Sequence, residues 1–163
     1  MSEIKTPSNN SFVRRVVRKI IVLSLISIAG LIVLSMTASR PSHLGLHGGK
    51  LAAIPDSPNC VSSMTEKESF AMEPIDVAGV DQPLEKLKQA IESAIPRSIL
   101  VSEEASYLHY EFTSLLFRFV DDGEFLFDEQ QNVIHFRSSS RVGYSDMGAN
   151  RKRMEAIRDA MAK

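Results

Sequence analysis

One uncharged, proline-free run constrains this chain more than any other feature. Residues 20–38 contain no Asp, Glu, Lys, Arg or Pro. A helix over this run rises 1.5 Å per residue and reaches about 28 Å, close to the hydrocarbon thickness of a bilayer. A single segment in lipid satisfies its backbone only as a helix. Ser24, Ser27 and Ser35 are compatible with that, because a serine hydroxyl can bond back to its own helix. The run is apolar on every side, which argues against a helix that covers one face of a soluble core.

The flanks give the segment a direction. Arg14, Arg15, Arg18 and Lys19 precede it and only Arg40 follows closely. The positive-inside rule then puts residues 1–19 in the cytoplasm and everything after the span on the other side. The expectation is a single-pass protein of the inner (cytoplasmic) membrane, with its domain in the periplasm or an equivalent compartment. A cleaved signal would be cut after Ser39, and a twin-arginine signal would use Arg14 and Arg15. The length of the apolar run and the extra basic residues favour an uncleaved signal anchor.

Charge is distributed unevenly. Residues 1–19 have a net charge of +4, whereas from Asp56 onward 12 Lys/Arg face 19 Asp/Glu, a net of −7. Nucleic acid and anionic lipid both require a positive field, so an acidic domain excludes a nucleic-acid partner. The single cysteine, Cys60, rules out an intramolecular disulfide and a cysteine-built zinc site. Stability must come from an apolar core, for which the remaining residues suffice.

Residues 39–57 are rich in Gly, Pro and Ser and read as a flexible linker. His43 and His47 are four apart, but Gly45, Gly48 and Gly49 speak against the helix that would pair them on a metal. Residues 58–163 form the globular domain. Over residues 83–96, Leu84, Leu87, Ile91 and Ile95 share one helical face, with Asp81 as N-cap and Pro96 as terminator. Four strand-like runs follow, at Ser98–Glu103, Tyr107–Thr113, 117–127 and 133–139. Gly123 suggests a bulge or bend and Asn132 a tight turn. A last helix begins near Met147, with Met147, Met154, Ile157 and Met161 on one face and Ser145 or Asp146 as cap. This order predicts an α+β fold: an N-terminal transmembrane helix, then a two-layer sandwich of a mainly antiparallel four- to five-stranded sheet with two helices on one face.

Four strings carry a family resemblance. They are Pro58-Asn59-Cys60-Val61-Ser62-Ser63, the stretch from Glu111 through Phe117-Arg118-Phe119 to Asp122, the stretch from Arg137 through Arg141 to Asp146, and Asn150-Arg151-Lys152-Arg153. In order and spacing they resemble the domain of unknown function 1499 family, over about residues 58–161. That family occurs in bacteria and photosynthetic eukaryotes, often behind an export or membrane segment. The resemblance implies no activity, and it carries over no catalytic residues.

Two constellations could carry chemistry. Side chains alternate along a strand. One face of the sheet therefore gathers His109, Glu111, Arg118, His135 and Arg137, while Leu108, Phe112, Ile134 and Phe136 lie under the helices. A solvated face with cross-strand ion pairs is the simplest outcome. His109, Glu111 and His135 are the catalytic candidates, since histidine and carboxylate can shuttle a proton near neutral pH. The second constellation spans residues 137–153. Residues 137–163 hold seven Lys/Arg against three Asp/Glu, and a helix N-terminus suits an anion. Arg137, Arg141, Tyr144, Asn150 and Arg151 are the candidate binding residues, with Arg137, Arg141 and Arg151 expected to converge. The alternative is that these arginines pair with Asp121, Asp122, Glu124, Asp128 and Glu129. Cys60 reads as a small packed side chain.

No cofactor or metal motif is present: neither a phosphate-binding loop, nor a dinucleotide fingerprint, nor a nucleophile elbow, nor a regular calcium loop. The expected function is that of a membrane-anchored, extracytoplasmic accessory or binding domain, able to hold an anionic group near the last helix. Its protein partner or small anionic ligand is not identified by the sequence. A small hydrolase-like enzyme using His109, Glu111 and His135 is the rival.

Overall fold

The structure is a computed structural model that describes residues 9–163, so the first eight residues of the expected basic tail lie outside the described residues. All of the apolar run but its last residue, Ala38, lies within a single helix, α1 (Asn9–Thr37), whose described side chains are almost all exposed. It is long and apolar enough to cross a membrane. Ser27 Oγ donates to the Leu23 carbonyl and Thr37 Oγ1 to the Leu34 carbonyl, so these hydroxyls are satisfied inside the helix. Ser35 differs: its hydroxyl donates at 2.5 Å to the carbonyl of Arg118, far along the chain.

Residues 39–57 do more than link. They contain a small hairpin, β1 (Leu46–His47) and β2 (Lys50–Leu51), and Leu51 and Ala52 are buried. Leu51 packs with Tyr107 and Leu126 on the sheet, which gives this Gly- and Pro-rich segment an apolar foothold. The flexible-linker expectation fails here because a few apolar residues among the turn formers suffice to dock it.

The main sheet has six strands. Its path is β3 (Cys60–Ser62), β8 (Val133–Ser140), β7 (Val120–Asp128), β6 (Tyr107–Thr113) and β5 (Ser98–Glu103), all antiparallel, and β4 (Ile75–Asp76) also pairs with β8. The four predicted strands are β5 to β8, and two short strands extend the sheet beyond β8. The third predicted strand starts late. Arg118 has a left-handed backbone (φ 55°), and the loop is closed by Ser114 N–H donating to the Phe119 carbonyl and Phe119 N–H donating to Ser114 Oγ. Arg118 is therefore in a loop and not on the polar face.

Helices α2 (Pro83–Ala94) and α3 (Ala149–Met161) cover one face. Leu87, Ile91, Met154 and Ile157 pack there on Leu108, Tyr110, Phe112, Phe125, Ile134 and Phe136. Gln82, not Asp81, stands at the N-cap of α2, with Pro83 at the first turn where its missing N–H costs nothing. Met147 is exposed and precedes α3. Gly123 makes no bulge: it pairs regularly with Tyr110 and Ser138. A Cβ there would overlap Phe112 Cε2, so glycine leaves room for the ring. The irregularity lies instead in β5, between Leu100 and Ser102. Asn132 does sit in the β7–β8 turn with φ 54°.

Candidate functional site

The two-residue period of the strands sorts the sheet into an apolar and a polar face. Register places Glu111 opposite Asp122, His109 opposite Glu124, and Glu124 opposite Arg137, with Leu126 opposite His135. Chemistry-bearing side chains thus share the face away from the helices, as alternation predicts. That face is not solvated. His109, Asp122, Glu124 and Arg137 are all buried, because residues 40–52 lie across them.

A charge-balanced network fills the contact. Arg40 Nη2 donates to Glu111 Oε1 at 2.6 Å. Arg141 Nη2 reaches the same oxygen at 2.5 Å and also forks onto Asp122, with Nε to Oδ2 at 2.8 Å and Nη2 to Oδ1 at 2.7 Å. His109 Nε2 lies 2.8 Å from Asp122 Oδ1. Beside this chain, Glu124 accepts the Gly45 N–H at 2.7 Å, the Tyr107 hydroxyl at 2.8 Å and Arg137 Nη1 at 3.1 Å. Three guanidinium groups face three carboxylates. Buried charge is tolerated only when paired in this way.

The same contacts set the proton affinities. Burial works against ionisation of Asp122, but hydrogen bonds from Arg141 and His109 outweigh it and hold the carboxyl below its usual range. Glu111 is likewise lowered, burial being overcome by Arg141 and Arg40. Arg141 is raised, chiefly by its bond to Asp122. Tyr107 is raised by burial and by the neighbouring Glu124. Burial also pushes the Cys60 thiol up, with Arg137 opposing; the thiol is a packed side chain on β3.

The catalytic candidates are not brought together. His109 is locked to Asp122 and Glu111 to two arginines, and a carboxyl held low is a weak base near neutral pH. His135 lies two strands from His109 and two residues further along, roughly 12 Å away by strand spacing. It sits 3.2 Å from the Ser63 hydroxyl. His47 Nε2 meets the His43 carbonyl, so these two rings do not share a metal. Among the described residues no group of three or more His, Cys, Asp and Glu could hold one.

The binding candidates divide. Arg137 and Arg141 line one cavity of about 260 Å³ beneath the residue 41–57 segment, together with Pro41, His43, Asn59 and Ser139. Arg151 does not join them. It donates to the carbonyls of Ser69 and Ala71 and lines a separate depression beside Cys60. These contacts hold it away from Arg137 and Arg141, so the expected three-arginine cluster does not form. Tyr144 is exposed. Asn150 is fully buried and acts as a staple: its amide donates to Asn59 O, Ser140 Oγ and Asp146 Oδ2, and its Oδ1 accepts from Ser138 Oγ. The start of α3 already holds an anion, because Asp146 accepts the N–H groups of Gly148 and Asn150.

Arg137 distinguishes that cavity. It is 2% exposed, keeps a single carboxylate contact, and its Nε has no partner. His43 Nε2 lies 3.5 Å from its Nη2, at the limit of a hydrogen bond. Sequence reasoning missed the roles of Arg40, His43 and Gly45, which come from the segment taken as a linker, and of Asn59 at the start of the domain. The alternative reading of the basic stretch holds for two of its arginines: Arg137 pairs with Glu124 and Arg141 with Asp122.

No curated protein and no solved structure matches the chain. A family profile described as "Protein of unknown function (DUF1499)" matches residues 50–161, reaching back to include β2, more than half of the chain. The chain belongs to the DUF1499 family.

Proposed function

We propose that this protein is a membrane-tethered binding domain held outside the cytoplasm, and that the cavity beneath residues 41–57 takes a small ligand through one anionic group. The observation that carries this reading is Arg137, a buried guanidinium in the cavity wall with donors left over. A guanidinium offers five N–H groups in a planar fork suited to carboxylate or phosphate. Asn59, Ser139 and Ser140 add neutral polar groups around it. The basic residues Arg14, Arg15, Arg18 and Lys19, which precede the apolar run within α1, support the orientation, with the domain beyond the membrane.

The hydrolase-like reading has less behind it. His109, Glu111 and His135 do not line this cavity; His109 is hydrogen-bonded to Asp122 and Glu111 is paired with Arg141. An enzyme needs those groups convergent in one concave site.

The test uses the full chain in lipid nanodiscs. Phosphate, sulfate and acetate are added at millimolar concentration while ionic strength is held constant, and the melting temperature of the domain is followed. Binding to the native state alone raises it. A shift specific to one of these anions, reduced in His43→Ala, supports the reading. The absence of any anion-specific shift in the wild-type chain contradicts it.

A further inference from the structure

The geometry points to a second contact with the membrane: the β6–β7 loop, residues 114–119, sits in the interface of the outer leaflet beside the end of α1 and fixes the domain's orientation on the bilayer. This inference rests on reading α1 as a membrane span.

Exposure comes first. Among the described residues outside α1, the most exposed large apolar side chains are Met147 (91%), Leu115 (78%), Tyr144 (78%) and Leu116 (72%). They are not scattered. Leu115 and Leu116 belong to the loop before β7, and Tyr144 and Met147 to the loop after β8. Asp121, near the start of β7, pairs with Ser140 at the end of β8, so both loops stand at the same end of the sheet. Exposed apolar residues occurring singly need no explanation, whereas a cluster at one end of a domain marks an interaction surface.

Position supplies the occupant. The carbonyl of Arg118 in this loop accepts the Ser35 hydroxyl at 2.5 Å, and Ser35 is buried in that contact. Ser35 lies three residues before Ala38, the end of the apolar run, so it sits about 4.5 Å inside that end. Apolar groups of interfacial elements settle about 5–10 Å into the boundary between headgroups and acyl chains. A loop bonded to α1 at that level is therefore held where lipid begins.

The loop is built to keep its leucines outward. Main-chain and side-chain bonds between Ser114 and Phe119 close it, and Phe117 and Phe119 pack on each other with ring centres 5.8 Å apart. Those rings take the inner side and leave Leu115 and Leu116 at the tip. Arg97 Nη1 donates to the Leu115 carbonyl, and Arg97 and Arg118 are exposed beside the leucines. Long basic side chains can lay their stems along apolar surface and reach headgroup phosphates. The overall acidity of the domain is no obstacle, because entry of leucine into a zwitterionic interface requires no anionic lipid.

The chain contains no tryptophan, so one introduced residue is a unique reporter. Leu116→Trp, Leu25→Trp in the middle of α1, and Gln130→Trp in the β7–β8 turn are each made in the full-length chain. All three positions are exposed, so the larger ring has room. The variants are placed in nanodiscs of phosphatidylcholine with and without bromine on the acyl chains. Leu116→Trp should emit at shorter wavelength than Gln130→Trp and lose intensity to bromolipid, as Leu25→Trp does. Gln130, at the opposite end of the nine-residue β7, should be unaffected. Quenching at position 25 with none at 116 would overturn the inference alone. Blue-shifted but unquenched emission at 116 would also overturn it, by showing a protein cover. Equal quenching at 116 and 130 would remove the fixed orientation. No quenching at 25 would overturn the membrane span and the inference with it.

Discussion

Arg141 holds both carboxylate oxygens of Asp122, its Nε on Oδ2 at 2.8 Å and its Nη2 on Oδ1 at 2.7 Å. This fork joins the strand end of β8 to β7, and through Glu111 it extends to β6 and to Arg40 just beyond α1. With Asp122 2% exposed at its side chain, loss of the guanidinium leaves a carboxylate buried without its main partner. Arg141→Ala should lower the unfolding free energy by about 3–5 kcal/mol, the range for breaking a buried pair from one side. Arg141→Lys should recover only part, since an ammonium cannot grip two oxygens in a plane. Denaturant titration of the full chain in detergent checks both values.

Folding lowers the pKa of Asp122 and Glu111, so their contribution is complete above their ordinary values, 3.8 and 4.5, and is lost as pH falls through the lower folded values. On the alkaline side, burial pushes Tyr110 up to about 12 and Tyr107 higher still. Their contribution is present below the ordinary value of 10.0 and is lost as pH rises past it. Stability measured against pH should therefore be flat through neutrality and fall at both ends. Arg141→Ala should flatten the acid limb.

Leu51 is 6% exposed and packs on Tyr107 and Leu126. If residues 39–57 are part of the fold, Leu51→Ala should cost about 2–3 kcal/mol, in line with other truncations of buried leucine. It should also speed proteolysis within that segment. A free linker would show neither effect.

What the sequence made legible follows from how local each signal is. The apolar N-terminal helix, the four long strands and the two helices are written in hydropathy and periodicity, which need only neighbours in sequence. Alternation also told correctly that His109, Glu111, His135 and Arg137 share a face. It could not tell that the face is covered, because the cover comes from a Gly-rich segment whose attachments, Gly45 to Glu124 and Arg40 to Glu111, cross more than seventy residues. Arg118 was misplaced for a related reason. The run around Phe117 and Phe119 has strand composition, yet Ser114 closes a loop across it. Arg137, Arg141 and Arg151 look equivalent in a basic stretch, but β8 and the residue that follows it set the first two against carboxylates of β7, and α3 carries the third away.

The cavity is tested most directly at Arg137 itself. Its Nε has no partner, so the Nε–H resonance of Arg137, assigned through Arg137→Lys in labelled full-length protein in nanodiscs, reports any acceptor that arrives. The account predicts a saturable shift of this resonance on titration with phosphate, sulfate or acetate, accompanied by slower exchange of that proton with water. A resonance that stays in place through all three titrations would contradict it.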